Sequence, residues 1–378
     1  MPISTGQEFT KIFVYTHNNT TYTDVTLEAQ SPLGTAFTIL AATTDFLYLG
    51  HDEKFDMAIF DLDNAGSVTP IWEYYDSVAN DWERFLPSSG RLSHDPDFAD
   101  MGTAYTFGED GVEMFPMNIL RNWTTTAIGP GAGVTKYWIR VSAPSGASVA
   151  TVKRIQMRPL NAYCTTQDVF ELLQLANIAN TTDFTTATIP TKKTVEQYID
   201  AAQSKIDFRT RKSWRPNYIE EEYHDFNING FKLRRNDAYK LMRVHIWDGG
   251  GFEKKTESRK QDFFLTPDIG VVFFSRYFML PARFQSYNAP VWRFGGGEFV
   301  NPVRVSYLYG RDINTNPQEA GMVYDMAKKL AAIDVVRSSD FGNLVVSGTD
   351  RIQLMQRVEG WTAEVEDKLD SLRAFEVF

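Results

Sequence analysis

The stretch TVKRIQMRPLNAYCTTQDVFELLQLA, residues 151–176, contains the change of pattern that decides the fold. Its first residues form a short alternating run, which is typical of a half-buried strand. After Thr165 and Asp168, a pair that is typical of a helix start, apolar residues recur at helical spacing. The change of pattern predicts a β domain at 1–160 and a second domain at 161–378.

The residues before this stretch repeat one pattern, in which a short alternating run is followed by turn residues. Asn64-Ala-Gly66 and Pro144-Ser-Gly146 are turn signals of this kind. The alternating runs are Lys11–Tyr15, Thr23–Leu27, Phe46–Leu49, Met57–Leu62, Ile71–Tyr75 and Tyr137–Val141. Because no helical period competes with this pattern, we predict that residues 1–160 form an antiparallel β-sandwich.

The residues after this stretch combine helical and strand patterns. Apolar residues recur at helical spacing over about 165–177, 192–212, 317–337 and 362–375. Asn316 and Pro317 give the third of these helices a strong start signal. Strand and hairpin patterns fill the interval 217–310. The predicted fold class is therefore multidomain α+β, with an N-terminal antiparallel β-sandwich followed by a helical domain that carries a β-rich insertion.

Composition and charge narrow the class of protein. The 378 residues are 43% hydrophobic and 14% aromatic, which is a globular composition that favours β-structure. The net charge of −10 lies almost wholly in 1–160, which carry −9, whereas 161–378 carry −1. The acidic part is expected to repel nucleic acid and membrane surfaces. A single cysteine and the lack of a long apolar run predict a soluble protein of a reducing compartment, without disulfides or membrane spans.

The sequence contains none of the common catalytic or metal-binding motifs. There is no G-x-S-x-G nucleophile elbow, no phosphate-binding G-x-x-x-x-G-K-[ST] loop and no H-E-x-x-H pair. The five histidines never occur as close pairs. We therefore expect no catalytic residues, no metal site and no cofactor, and we do not expect an enzyme.

Lys205, Arg209 and Lys212 are spaced so that they share one face of the second predicted helix. Basic side chains at this spacing can contact phosphates without reading a base sequence. The same residues can form a solvated face that pairs with acids such as Asp207 and Glu220. The sequence leaves a DNA-facing surface and an ordinary charged helix face as alternatives.

Residues 72–83 interleave aromatic side chains with carboxylates. The aromatic residues are Trp72, Tyr74, Tyr75 and Trp82, and the carboxylates are Glu73, Asp76, Asp81 and Glu83. This mixture is typical of a sugar-binding face or of a glycosidase. Strand alternation offers a second interpretation, in which the aromatic side chains enter the core and the carboxylates point outward. Both interpretations stay open at this point.

Two segments of the second part resemble the head–tail connector (adaptor) proteins of tailed bacteriophages. Thr165–Leu173 and Val195–Asp207 resemble the short and the longer helix of that family, and Thr210–Trp214 resembles its basic, aromatic tail. Val303–Gly310 is similar to the family's Tyr-x-x-Gly strand, which leads into a Pro-capped helix, here at Pro317. The resemblance implies that 161–378 form a head–tail adaptor domain.

The first part of the chain is similar to β-sandwich modules that are appended to phage virion proteins. The residues that carry this resemblance are Tyr48–Gly50, Phe55, Trp72–Tyr75, Trp82 and Tyr137–Arg140. The resemblance implies that the acidic sandwich faces outward from the particle and away from DNA. The second part, which is nearly neutral, is compatible with a channel through which DNA slides without sticking.

The resemblance also implies a function and a set of partners. The family's proteins form a ring, usually of twelve copies, which docks beneath the portal and lines the DNA exit channel. The implied partners are further copies of this chain, the portal protein, tail or neck proteins and the DNA that passes through the channel, with no membrane partner. The implied location is the neck of the virion, after assembly in the host cytoplasm.

Four predicted helices carry apolar stripes, and together these stripes present more apolar surface than one compact monomer is expected to cover. We therefore expect sister copies, arranged head to tail around a pore, to cover the surplus. Val365, Leu369 and Leu372 in the last predicted helix are the candidates for docking on a neighbouring subunit or on the portal.

Two other functions remain possible on the sequence. The first is a tail, baseplate or receptor-binding protein whose sandwich binds carbohydrate at Trp72, Tyr74, Tyr75 or Trp82. The second is a hydrolase that uses the carboxylates between 73 and 83. Glycan binding by the N-terminal part would favour the first alternative, and activity that depends on Glu73 would favour the second.

Overall fold

The computed structural model describes residues 7–31, 33–87, 105–175, 182–225, 230–247, 252–267, 269–274, 303–311, 317–338 and 348–374. The chain divides into two compact units. Leu160–Pro216 and Gly310–Phe378 form what we name the helical unit, and Gly6–Pro159 and Asn217–Tyr309 form what we name the β unit. Both sheets and helices are present, which confirms the predicted multidomain α+β class.

The β unit is built almost wholly from strands. Its N-terminal part contains β1 (Gln7–Glu8), β2 (Lys11–Thr16), β3 (Thr21–Asp24), α1 (Thr26–Gln30), β4 (Phe37–Ile39), β5 (Phe46–His51), β6 (Phe55–Asn64), β7 (Ser67–Asp76), β8 (Asp81–Phe85), β9 (Gly111–Met114), β10 (Thr125–Ile128), β11 (Val134–Ser148) and β12 (Ala150–Pro159). Its later part contains β13 (Asn217–His224), β14 (Phe231–Lys232), β15 (Ala238–Trp247), β16 (Phe252–Lys254), β17 (Phe263–Thr266), β18 (Val271–Phe274) and β19 (Val303–Tyr309).

The N-terminal part of the β unit consists of two antiparallel sheets with a shared core. One sheet has the strand order β1-β12-β6-β9 with β4 on β12, and the other has the order β3-β2-β5-β11-β7-β8 with β10 on β11. Side chains from both sheets meet in one apolar cluster, for example Leu49, Trp72 and Ile139 with Phe60 and Ile155. Each sheet thereby buries the apolar face that its alternating strands create.

The later part of the β unit forms two smaller sheets. Their strand orders are β13-β19-β15-β16 and β14-β18-β17. Val244 and Val305 from the first sheet share an apolar cluster with Val272 from the second. These sheets are the β-rich insertion that the sequence pattern predicts between the helices.

The β-rich insertion packs against the N-terminal sheet that contains β6 and β9. Met57 shares an apolar cluster with Leu308, and Lys240 Nζ lies 2.5 Å from Asp61 Oδ1 and 2.8 Å from Asp110 Oδ2. The sequence pattern assigned the insertion to the domain that contains the helices, whereas the structure groups it with the N-terminal sheets. This grouping depends on apolar contacts and ion pairs between residues that are far apart in the sequence, and a sequence pattern does not show such contacts.

The helical unit contains α2 (Thr166–Leu172), α3 (Lys192–Thr210), α4 (Pro317–Arg337) and α5 (Gly348–Ala374). α2 begins with the predicted cap, because the Thr165 side chain accepts the backbone N–H of Asp168 and the Asp168 carboxylate accepts the backbone N–H of Thr165. Asn316, the predicted cap of α4, lies outside the described residues. None of the described helices combines the length and hydropathy that crossing a membrane requires.

α5 begins fourteen residues earlier than the sequence pattern predicts, at Gly348 instead of about 362. Val358 is buried and stands two turns before Val365, so it extends the apolar stripe backward. Gly360 stands in open space, and glycine at an exposed helical position costs only about 1 kcal/mol. Gly360 therefore does not end the helix.

The apolar stripes of the four helices face one another within a single chain. The buried residues include Val169 and Phe170 of α2, Val195, Ile199, Ala202 and Ile206 of α3, Val323, Met326, Ala327 and Leu330 of α4, and Val365, Leu369 and Leu372 of α5. The expectation that these stripes exceed what one monomer buries is therefore wrong. Each stripe is covered by the other helices of the same unit, so the stripes themselves do not require a sister copy.

Four charged side chains connect α4 to α5 on the rim of this core. Lys329 Nζ lies 2.7 Å from Asp325 and 2.6 Å from Glu364, and Lys368 Nζ lies 2.6 Å from Asp325 and 2.7 Å from Glu364. Hydrogen bonds from Lys329 and Lys368 lower the pKa of Glu364. The alternating charges hold the two helices in one register.

Candidate functional site

The outward face of α3 carries Lys205, Phe208 and Arg209, all exposed. Residues such as Ile199 and Ile206 occupy the inner face of the helix, which leaves these three pointing away from the core. The Phe208 side chain is 81% exposed, the highest value for a large apolar residue among the described residues of the helical unit. A single exposed apolar residue is ordinary, so its surroundings decide whether it has a role.

A cleft lies between α3, α4 and α5, and Lys205 of the outward face of α3 is one of its lining residues. Its volume is about 190 Å³. Its floor is apolar and is formed by the buried residues Ala202, Leu330, Ile333 and Val365. A cleft with this floor can receive an apolar side chain, because burial of such a group removes it from water.

The rim of the cleft carries both signs of charge. Lys205 and Arg337 lie near Asp334, whose pKa is raised because burial outweighs the attraction of the two cations. Arg209 Nη2 lies 2.7 Å from Glu366 Oε2, and both side chains of this pair remain partly exposed. The rim is therefore not a purely basic surface.

The three basic residues that the sequence places on one helix face do not share it. Lys205 and Arg209 reach solvent, whereas Lys212 is 5% exposed and its Nζ donates to the backbone oxygen of Leu372 at 3.4 Å. The prediction of a continuous basic face is wrong at Lys212. The helix ends at Thr210, and Arg211 takes a left-handed conformation with φ of 56°, so Lys212 no longer follows the helical spacing.

The predicted docking residues Val365, Leu369 and Leu372 lie inside the helical unit. All three are buried against α3 and α4 of the same chain. The prediction that these side chains form a docking surface is therefore wrong, since the other helices of the unit cover them. Of the three, Val365 also lines the floor of the cleft. Their helical spacing indicated correctly that they share a buried face, but not which element covers that face.

The four aromatic residues of the predicted sugar site divide between the two faces of one sheet. Trp72 and Tyr74 are buried in the core between the N-terminal sheets. Tyr75 and Trp82 lie on the opposite face, where they are direct partners across β7 and β8 with ring centroids 5.8 Å apart. The four side chains cannot act together, because neighbouring residues of a strand point to opposite faces.

The outer face of the seven-stranded sheet carries a continuous aromatic cluster, which we name the aromatic face. Its members are Phe13, Tyr15, Tyr22, Phe46, Tyr48, Trp82 and Trp138. The Arg140 guanidinium lies 4.8 Å from the ring centre of Phe46 and 4.4 Å from that of Trp82. Burial raises the pKa of Tyr48 to about 12, so its hydroxyl stays protonated near neutral pH.

Two carboxylates of the 73–83 segment make structural contacts. Glu73 Oε2 accepts a hydrogen bond from Arg140 Nε at 2.7 Å. Asp76 Oδ1 accepts backbone N–H groups of Val78 and Ala79 at 2.7 and 3.0 Å, which shapes the turn after β7. Among the described residues, no group of three His, Cys, Asp or Glu side chains is placed to hold a metal ion.

The sequence matches no protein-family profile, and it matches no curated protein. Solved structures give weak likenesses. A chain in the neck of an empty gene transfer agent particle, computed with C6 symmetry, is 15% identical with a TM-score of 0.28 over 43% of this chain and 75% of that chain. A chain in the virion of a native gene transfer agent particle is 16% identical with a TM-score of 0.27 over 50% and 87%. TM-scores this low do not establish a shared fold.

Sequence reasoning missed both Phe208 and the aromatic face, although each left a signal. Phe208 does not follow the helical spacing of the buried stripe of α3, so an apolar residue is expected on the solvent-facing side of this helix. In β2 and β5, aliphatic residues alternate with aromatic ones, so both faces of these strands are apolar. Ile12 and Leu47 enter the core, whereas Tyr15 and Tyr48 lie on the aromatic face.

Proposed function

We propose that this chain is a structural protein of a bacteriophage-type virion that assembles through its helical unit into a ring, of about twelve copies in the family that it resembles. The ring connects the portal of the head to the tail and surrounds the channel through which DNA leaves. The proposed partners are further copies of the chain, the portal protein and tail or neck proteins. The proposed role is to hold these parts together, without catalysis.

One observation carries this proposal, namely that the two segments that resemble adaptor proteins meet in the structure. The backbone N–H of Arg311 donates to the carbonyl oxygen of Ser213 at 2.7 Å. Trp214 Nε1 donates to Glu319 Oε2 at 3.3 Å. These two contacts join the basic, aromatic tail after α3 to the residue that follows Gly310 and to helix α4. We name this contact region the tail–glycine junction.

The charge distribution supports the same proposal. The residues of the helical unit carry a net charge of only −3, which limits both attraction and repulsion toward DNA in a channel. Residues 1–160 carry −9, and this charge favours a position away from DNA for the N-terminal sheets, which we propose form an outward-facing sandwich. Segregated charge of this kind is useful to a protein that meets DNA on one side only.

Negative-stain imaging of the purified full chain, alone and with portal protein of the same particle, tests the proposal. We expect closed rings with a central pore, and stacking of these rings on the portal. Single copies at every concentration, with and without portal, would contradict it. Analytical ultracentrifugation over the same concentrations provides the matched measurement in solution.

A second candidate function rests on the aromatic face. Outward positions of a two-sheet protein are normally polar, whereas here they are aromatic, and four of the rings remain partly exposed, namely Tyr15, Tyr22, Phe46 and Trp82. Tyrosine and tryptophan rings with phenol and guanidinium groups beside them are suited to a sugar, which offers both an apolar ring face and hydroxyls. In this case the chain is a tail or receptor-binding protein with a carbohydrate ligand.

Glycan-array binding of the full chain distinguishes this second candidate. If it is correct, Trp82→Ala abolishes binding to a defined glycan, because Trp82 is a partly exposed ring on the aromatic face. Leu27→Ala, which removes an exposed apolar side chain of the β unit outside the aromatic face, is the matched control and leaves binding unchanged. Absence of glycan binding by the unaltered chain would reject the candidate.

A further inference from the structure

Phe208 and the cleft form one surface, which we name the α3 face. Ala201 and Lys205 line the cleft, and Phe208 follows them at the spacing i, i+4, i+7 along α3. The exposed ring is thus in line with the cleft along the helix. Burial of a phenylalanine side chain removes a large apolar surface from water, so a partner that covers Phe208 gains a substantial part of its binding energy there.

The size of the cleft favours a side chain over a small-molecule ligand. Its volume is about 190 Å³, whereas pockets for drug-sized ligands or cofactors span roughly 300–1,000 Å³. Its apolar floor and charged rim match the general anatomy of a protein interface, in which a dry centre is surrounded by polar groups. The occupant is therefore a protein.

The charges of the rim distinguish between possible partners. Lys205, Arg209 and Arg337 are cations, and Asp334 and Glu366 are anions of the same surface. A polyanion such as DNA would meet both carboxylates, which opposes its binding. A surface with both signs of charge and an apolar centre complements another surface of the same mixed character, and a second copy of this chain offers one.

We propose that the α3 face is a subunit interface, in which a second copy of this chain covers Phe208 and places an apolar side chain in the cleft. The inference rests on the proposed ring, since it names the surface through which the copies associate. It assigns Lys205 and Arg209 to the contact between subunits instead of to the DNA channel. The exposed residues of this interface, Phe208, Lys205 and Arg209, then lie outside the stripes that the monomer buries.

Mass photometry of the full chain over a range of concentrations tests this assignment. The unaltered chain is expected to associate, and Phe208→Glu is expected to weaken association by at least about tenfold, which corresponds to about 1.4 kcal/mol. Leu27→Glu is the matched control, because Leu27 is 78% exposed and belongs to the β unit. It is expected to associate as the unaltered chain does, and Phe208→Leu is expected to keep most of the association. Because Phe208 is exposed, thermal melts of all variants should coincide.

The outcomes separate this inference from the proposed function. If the unaltered chain and the Phe208→Glu variant associate equally, the α3 face is not the interface. That result would not contradict the proposed ring. If the unaltered chain stays monomeric at every concentration, with and without the portal protein, both the proposed ring and the proposed interface are wrong. If Phe208→Glu associates normally and Lys205→Glu abolishes binding to double-stranded DNA at low salt, the face belongs to DNA and the inference is overturned.

Discussion

Replacing Leu369 with alanine is expected to lower the free energy of unfolding of the helical unit by about 2–5 kcal/mol. Leu369 is 1% exposed and packs among α3, α4 and α5. The substitution removes three carbon atoms from a close-packed core and leaves a cavity that the surrounding helices fill only in part. Thermal unfolding measures the loss, and hydrogen exchange followed by mass spectrometry should locate it in peptides of α3, α4 and α5.

Asp370→Ala provides the control for this experiment. Asp370 is the next residue of the same helix and is exposed, so its replacement is expected to change stability by no more than about 0.5 kcal/mol. The opposite pattern would be informative. If Leu369→Ala keeps full stability and instead loses contact with the portal or with a neighbouring copy, Leu369 is a docking residue and the described core is wrong.

The second large effect is expected at Gly310, in the tail–glycine junction. Gly310 has φ of 120°, and a Cβ atom there would lie 2.2 Å from the backbone oxygen of Arg215. Gly310→Ala is therefore expected to cost at least about 1–3 kcal/mol from the strained backbone alone. The steric clash of this Cβ atom is also expected to separate the two segments that the hydrogen bond from Arg311 to Ser213 joins. Circular dichroism melts measure the loss.

Gly321→Ala is the matched control for Gly310→Ala. Gly321 lies within α4, where an added Cβ meets no atom within 4 Å. Alanine is favoured over glycine in a helix by about 0.5–1 kcal/mol, so this variant is expected to be slightly more stable than the unaltered chain. A Gly310→Ala variant as stable as Gly321→Ala would show that the junction is not closed as described.

The sequence predicts where three of the four described helices of the helical unit begin, because local rules decide these starts. The cap at Thr165 and the start of α3 follow from side chains that satisfy nearby backbone groups. The stripe of α5 around Val365 follows from helical spacing. What the sequence does not reveal is the partner of each stripe. An apolar face looks the same whether a sister copy or another helix of the same chain covers it.

The remaining differences arise where the structure depends on contacts that are remote in sequence. Lys212 leaves the basic face because the left-handed Arg211 ends α3 before it. Trp72 and Tyr75 lie on opposite faces of the sheet because side chains alternate in direction along β7. Alternation alone does not show which of the two faces another sheet covers. The contact of Lys240 with Asp61 joins residues far apart along the chain.

Cryo-electron microscopy of the native particle can locate the chain and count its copies. We expect multiple copies arranged as a closed ring at the junction of head and tail, with the helical unit contributing the contacts between copies. A location at the distal end of the tail would contradict this position and favour the receptor-binding candidate. Single, unassociated copies in the particle would contradict the ring itself.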